Sequence, residues 1–449
     1  MKKTFTPTCA LIFSLLFAAS GALSDPGDIA ANFDSNIRLK LVVYPQKPGD
    51  SDVPSILIED ASRTIEVKYD WGTWFEIGEN IRLDTAGWIE YGMPNPHRWA
   101  GGFELFQDEE IFSRPVVLNE LYVTAPIGNW DLVLGRAVQR NTVSVLYPLA
   151  DRYIARDFND PMDPKILGVW QARADYYRSD WQYSLAALPV FQPPKTPGIE
   201  SRWWIRRVEP VIGEPIPPGA TGRIERSVPG VTFENTGVLA TIRTRRQGWD
   251  FFTSAYHGYS PYPVMRTDSP APGDFVVTVE YVPGFDYSAG ISTVIDTLEL
   301  HSEALYHHTY SGDDDDYING LVGCIWRPET WAEWLHCNQV HLSVEYAAEH
   351  VVSRQKVSSG YATSSKPFRL GRNTLFTEFL LEVTAKDLVS AAYSHNFTDG
   401  NAFVQLRGEH RFGNGIRMEL VGEVFAGDGL YYGTWNNNDR IYLNLEYSF

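Results

Sequence analysis

From about residue 117 to its end the chain repeats one unit: about ten residues of alternating apolar and polar positions, then a turn. The last unit is the clearest. Between Arg440 and Phe449, Ile441, Leu443, Leu445, Tyr447 and Phe449 fall on one side and Tyr442, Asn444, Glu446 and Ser448 on the other. A period of two puts the two sets on opposite faces of a strand. The same alternation recurs at Ile416, Met418, Leu420 and Val424 against Arg417, Glu419 and Glu423. It is found again at Ala402, Val404 and Leu406 against Gln405, Arg407 and Glu409, and at Val340, Leu342, Val344 and Tyr346 against His341, Ser343 and Glu345. Farther back, Val277, Val279 and Tyr281 oppose Thr278 and Glu280, while Val238, Ala240 and Ile242 oppose Thr241, Arg243 and Arg245. Sixteen such runs follow residue 117, and two to four less regular ones lie between 36 and 107.

A soluble β-sandwich also alternates, so two further features decide. The polar faces carry charges over the whole run, and each run is near the roughly 9–11 residues with which a tilted strand crosses a bilayer. Aromatic residues recur at the run ends, as at Trp170, Tyr176, Trp181, Trp249, Tyr281, Tyr306, Trp326 and Tyr346. Amphipathic rings settle at headgroup level and form the girdles of membrane barrels. Inside a bilayer every backbone polar group must be paired, so such a sheet closes on itself. The pattern therefore predicts an all-β fold: a transmembrane antiparallel β-barrel of 16 to 20 strands, with 18 taken as the even number. A barrel of that size encloses an aqueous lumen unless loops fold into it.

The opening residues set the compartment. Met1-Lys2-Lys3 is basic, Cys9 to Ala19 is an apolar run too short to span a bilayer, and Ala22-Leu23-Ser24 supplies small residues for cleavage. This is the pattern of a secretory leader. Residues 1–24 are expected to be removed, leaving 25–449 as a barrel in the bacterial outer membrane. The formal net charge of −18 becomes −20 once Lys2 and Lys3 are lost, which excludes nucleic acid as a partner because phosphates need a basic face. Expected partners are outer-membrane lipid and lipopolysaccharide, the outer-membrane assembly machinery through the terminal Phe449, and a periplasmic export or uptake protein.

The longest stretch without alternation runs from Gln192 to Thr236 and is rich in proline, which cannot continue a sheet ladder. It carries Arg202, Trp203, Trp204, Arg206, Arg207, Arg223 and Arg226. Two readings are open: a constriction folded across the lumen, or an outer loop facing lipopolysaccharide phosphates. Counting strands back from a periplasmic C-terminus puts this stretch on the periplasmic side. Short turns are the rule there, so one run between 258 and 339 is expected not to cross the membrane.

Inward by parity from Glu280 onward lie Glu280, Glu299, Glu303, Glu345, Glu349, Glu378, Glu382, Glu409, Glu419, Glu423 and Glu446. Against these eleven acids stand five bases, Lys386, Arg407, Arg411, Arg417 and Arg440, with Arg173, Arg243 and Arg245 on the other half of the wall. The surplus of acid makes these positions candidates for solute selectivity, the alternative being cross-strand pairs that satisfy one another. Asp313 to Asp316 either collects a hard cation or forms a solvated loop tip. Cys324 and Cys337 suit a disulfide in an oxidising envelope. His301, His307, His308 and His341 read as solvated pore residues. No Cys/His metal spacing, cofactor motif, nucleophile elbow or Walker sequence occurs, so no catalytic residue is assigned.

The stretch from Asn119 to Pro197 resembles part of a porin-like family of Gram-negative outer membranes, largely uncharacterised and related in pattern to alginate-export barrels. The residues that carry the resemblance are Asn119 to Val123, Gly128 to Arg136, Tyr147-Pro148-Leu149, Asp160-Pro161, Ala172 to Tyr177 and Leu188 to Phe191. Where that family has a Trp-Gly pair, this chain reads Gln139-Arg140-Asn141-Thr142. The resemblance implies a barrel of the 18-stranded type for passage of a small polar solute, a hydrophobe or a polymer. An alginate-like polyanion would want a basic lumen, which the acidic wall does not offer. A barrel hydrolase acting on lipid or peptide, or a scaffold barrel, is the alternative.

Overall fold

The computed structural model describes residues 33–48, 61–77, 80–93, 99, 101–106, 110–198, 200–204, 221–269, 274–360, 362–428 and 430–449. The expected leader, Arg206 and Arg207 lie outside the described residues. The first strands are β1 (Phe33–Val43), β2 (Arg63–Ile77), β3 (Ile81–Met93), β4 (Val116–Ile127) and β5 (Trp130–Ala137). Two short strands, β6 (Arg156–Asp157) and β7 (Lys165–Ile166), pair with each other before β8 (Val169–Arg178) and β9 (Trp181–Leu188). Then come β10 (Thr221–Ser227), β11 (Gly237–Arg246), β12 (Trp249–Tyr259), β13 (Val264–Asp268) and β14 (Asp274–Glu280). The rest are β15 (Pro283–Ile295), β16 (Leu298–Thr309), β17 (Asp316–Trp326), β18 (Gln339–Ser353), β19 (Asn373–Glu382), β20 (Asp387–Asn396), β21 (Asn401–Arg411), β22 (Ile416–Ala426) and β23 (Arg440–Ser448).

Eighteen of these form one antiparallel sheet. Each wall strand pairs with the next wall strand along the chain, and β1 closes the ring on β23 through Asn36↔Ser448 to Val43↔Ile441. Closure removes every edge, which is what allows a sheet to sit in lipid. Exposed apolar side chains such as Ile37, Val67, Leu134, Leu185, Val322, Leu406, Leu420 and Leu445 occupy the outward parity of their strands. At the end of the barrel that holds both chain termini of the sheet, outward aromatic rings join in a belt. Trp130 and Tyr176 lie 4.7 Å apart, Tyr176 and Tyr183 6.3 Å, and Trp249 and Phe251 6.0 Å.

That end also carries the short turns. Gln247 and Gly248 both have positive φ (52° and 84°), the backbone a two-residue hairpin needs to match the twist of its strands. Apart from 327–338 between β17 and β18, the long connections leave the opposite end, including 189–236. The strand count explains why. The run Val277, Val279, Tyr281 is β14 and the residue after it, and β14 does not join the wall but pairs with β10 and β13 in a separate three-stranded sheet. One of its faces packs Met265, Phe275, Val277, Val279 and Tyr281 into a cluster. A small sheet with one dry and one wet face has the same period of two as a barrel strand. Removing this run leaves fifteen wall strands after residue 115 and moves 192–236 to the end opposite the termini. It also takes Glu280 off the lumen wall, where it pairs with Arg266, and Tyr281 out of the aromatic belt.

Cys324 and Cys337 are unbonded. Cys324 lies on the outward parity of β17 with Val322 and Trp326, whereas the Cys337 Sγ lies 3.7 Å from the carbonyl oxygens of Ala332 and Gln339 beyond the strand end.

Candidate functional site

The segment 138–168, between β5 and β8, folds into the lumen and crosses it. Its anchors are carboxylates at the middle of the wall strands. Glu345 on β18 accepts the backbone N–H groups of Val145 (2.7 Å), Leu146 (3.1 Å) and Tyr147 (2.9 Å) and the hydroxyl of Ser144 (2.8 Å). Glu303 on β16 accepts the N–H groups of Val143, Ser144 (2.9 Å) and Ala150 (2.9 Å) and the Thr142 hydroxyl. A carboxylate accepts from several N–H groups at once, and charge-assisted bonds are about twice as strong as neutral ones. Farther along the wall Asn141 donates to Thr241 of β11 (3.2 Å), and Arg243 donates to the Asn141 carbonyl (3.2 Å).

The segment also buries apolar surface on the inner wall. Leu149 joins Leu305, Tyr317, Leu321, Ala347 and Phe376, and Tyr147 stacks on Phe376 with ring centres 5.1 Å apart. Each of these wall residues occupies the inward parity. Full burial of such a side chain stabilises by about 1.5–3 kcal/mol, so the lumen is dry where the segment docks.

The far end of the segment is held by charge. Asp160 accepts from Arg440 (2.7 and 3.0 Å) and from Lys40 (2.9 Å), and Arg440 also donates to Glu423. Lys165 pairs with Glu90 of β3. Burial on its own would raise the Asp160 pKa, but the opposing charges of Arg440 and Lys40 hold it well below the usual carboxylate range. Asp151 and Asp157, with weaker cationic neighbours, are raised by burial instead.

One wall position is fixed by what crosses it. His301 of β16 reaches over β17 to Glu345 of β18, with Nε2 2.9 Å from the carboxylate. The strand between them carries Gly323, where a Cβ would stand 2.3 Å from His301 Nε2 and 2.7 Å from Glu345 Cγ. Gly323→Ala is therefore expected to displace the His301–Glu345 pair and to lower stability by about 1–3 kcal/mol. A urea unfolding midpoint equal to that of the parent would refute this.

The same accounting resolves the acidic surplus. Glu303 and Glu345 are spent on the segment, and Glu349 pairs with Arg369. Glu299 meets Arg327 (3.1 Å). Glu409 and Glu419 share Arg407 and Arg417, with Arg411 also on Glu409, while Glu446 is held by Arg38 and Arg417. Arg173 pairs with Asp175 and Arg243 approaches Asp250. Among the described residues Glu303, Glu378 and Glu382 are the acids of this set without an ion pair, and of these Glu303 is held by the segment, while Glu378 and Glu382 line β19 from its middle to its short-turn end. Arg245 stands exposed at the same end of β11.

The Pro-rich stretch divides. Gln192 to Thr196 runs behind the crossing segment, Lys195 exchanging backbone bonds with Arg156 and Phe158. Arg202 lies 3.5 Å over the Tyr44 ring and donates to the carbonyls of Ala61 (2.6 Å) and Gln46 (3.3 Å). Its guanidinium is thus used inside the protein. Trp203 is buried against Tyr44, Phe425 and Trp435 beneath Arg440, and Trp204 meets Phe112. Arg223 and Arg226 belong to the separate sheet, on Glu225 and Glu110. Among the described residues the segment that inserts into the lumen is therefore 138–168, and the described parts of 192–236 pack behind it, at Tyr44 and in the separate sheet.

The Asp cluster is not a solvated tip. Asp315 accepts from Gln355 N (2.9 Å), Ser364 Oγ (2.9 Å) and Arg369 (3.0 Å), and Asp314 from Ser365 N (2.7 Å), stapling 310–315 to 354–372. Burial opposes ionisation of Asp314, yet His307 and Arg369 outweigh it and hold the pKa at about 2. His301 and His307 are buried against carboxylates and not solvated, His307 lying 2.5 Å from Asp286, while His308 faces outward.

No family model matches the chain, and no curated protein matches it. Solved structures that are similar to it include substituted forms of the porin of Rhodopseudomonas blastica, at 8% identity over 93% of this chain and 99% of that one, with a TM-score of 0.41. Another is OccK11 (OpdR) of Pseudomonas aeruginosa, at 9% identity over 93% of this chain and 95% of that one, with a TM-score of 0.49. The architecture described above stands on the strand register of the chain itself.

Proposed function

We propose that the chain is an outer-membrane channel for small polar solutes, with a preference for cations. The observation that carries this reading is the closed 18-stranded wall crossed at mid-height by a segment pinned to Glu303 and Glu345. A wall alone is compatible with a scaffold. A segment fastened across its interior by buried carboxylates narrows a passage, and the fixed crossing suits a small solute better than a polymer. Glu378 and Glu382 then supply the negative field that a solute meets at the short-turn mouth, by the electrostatics that set preference in other pores. The exposed terminal Phe449 is the contact offered to assembly machinery, and the outward aromatic belt is offered to lipid.

Planar-bilayer recordings under a salt gradient test the reading. Discrete open steps with a reversal potential on the cation side are expected. Glu378→Gln/Glu382→Gln is expected to move the reversal potential toward the anion side with little change in stability, since neither carboxylate holds a described ion pair. A folded barrel without open steps would remove the channel reading, and turnover of lipid or peptide would then be the assay to run.

A further inference from the structure

The connection between β17 and β18 holds the one α-helix among the described residues, Glu329–Leu335, here α1. It stands at the short-turn end, where the neighbouring hairpins have tight turns. Its residues sort by helical angle: Trp331, Trp334 and Leu335 share one face at spacings of three and four, and Glu329 and Glu333 share the opposite face. The apolar face is bare, with Trp331 40%, Trp334 77% and Leu335 38% exposed.

The direction of that face is set by one contact. Trp326 is the last residue of β17 and pairs with Leu298 and Leu342, on the outward parity. Its ring meets that of Trp331 edge-on at 4.9 Å. The helix is therefore folded over the outside of the wall and not across the mouth. Its apolar face continues the outward aromatic belt of Trp130, Tyr176, Trp181 and Trp249, which stands at the same end. Its two carboxylates point the other way.

We infer that α1 is an interfacial anchor whose partner is the phospholipid leaflet at the short-turn end, with Trp331, Trp334 and Leu335 seated at the boundary of headgroup and acyl chain. Indole rings are at home at that depth, being apolar in body and polar at the N–H. An amphipathic helix in the plane of the interface binds through its apolar face, and the carboxylates remain in water. His336 closes the helix in the left-handed region (φ 54°) and Cys337 N–H returns to Ala332 O at 3.0 Å, so the chain turns straight back into β18. A short, capped helix tied at both ends to the wall loses little freedom on entering the interface. The inference rests on the wall being inserted in lipid and not on conduction.

Depth-resolved quenching tests it. In the chain with Cys9→Ser, Cys324→Ser and Cys337→Ser, an environment-sensitive thiol probe is placed by Trp334→Cys, by Glu333→Cys, or by Leu406→Cys as a control on the outward wall. Each is refolded into phosphatidylcholine–phosphatidylglycerol vesicles, and folding is checked by heat-modifiable gel mobility. The probe at 334 is expected to be quenched severalfold more by lipid carrying a nitroxide near the headgroup than by aqueous iodide, and the probe at 333 to show the reverse. Iodide quenching at 334 equal to that at 333, with the probe at 406 still lipid-quenched, would overturn the anchor. Shielding of 334 from both quenchers would also overturn it, by showing a protein surface such as a second copy on that face. If the probe at 406 is reached by iodide, the wall itself is not in lipid and the membrane reading falls first. The channel reading is tested apart from this, by conductance.

Discussion

Replacing Glu303 and Glu345 together by alanine is expected to raise single-channel conductance severalfold while the barrel still folds. The two carboxylates accept from six backbone N–H groups of residues 143–150, together with the hydroxyls of Thr142 and Ser144. Removing an acceptor leaves its donors to find water or go unpaired, at about 1–3 kcal/mol for each that stays dry. Loss of both anchors is thus expected to free the segment from β16 and β18 by several kcal/mol. The wall is a different matter, because its ladder of backbone bonds does not pass through either side chain. Heat-modifiable mobility should therefore persist as conductance and current noise rise. Unchanged conductance in the folded double variant would show that 138–168 does not restrict passage.

The second large effect concerns acid. Asp160 has a depressed pKa in the folded chain, so its contribution is fully present above the ordinary carboxylate value of about 3.9 and is lost as pH falls through the lower folded value. The anchor to Arg440 and Lys40 is expected to hold throughout the neutral range and to weaken only below about pH 4. Asp160→Asn should bring the acid behaviour to neutral pH. It leaves Lys40 facing Arg440 with only Glu66 and Glu423 nearby, and breaking a buried pair on one side costs about 3–5 kcal/mol. Hydrogen exchange of residues 156–166 reads the result. Protection in the variant at pH 7 equal to the parent's would mean that the anchor is not held by this charge.

The wall was legible because a strand in lipid must alternate. Ile441 to Phe449, Ile416 to Val424 and Val340 to Tyr346 all fall where the period of two places them, and the number of strands follows. The misreading at Val277–Tyr281 has the same origin: a half-wet sheet outside the membrane obeys the same period. The crossing segment was harder to see, since Thr142 to Leu149 has neither period nor proline density, and the Pro-rich run at 192–236 drew attention away from it. A signal was present on the other partner. Leu305, Tyr317, Leu321 and Phe376 stand on the parity otherwise held by Glu303, Asn319 and Glu378, and apolar residues at matching height on adjacent inward faces mark a dock for something inside. The acidic surplus misled for a related reason. Glu303 and Glu345 answer backbone donors of another segment, and no strand pattern shows which wall carboxylates have such a partner.

The manner in which 138–168 is held has a bearing on how such a barrel changes over generations. Val145, Leu146 and Tyr147 reach Glu345 through the main chain, which every residue but proline supplies. The Val145 side chain is 54% exposed and takes no part in the fastening. On the channel reading proposed above, the lumen-facing tip can thus be rewritten without disturbing its attachments, so that one scaffold would admit different solutes.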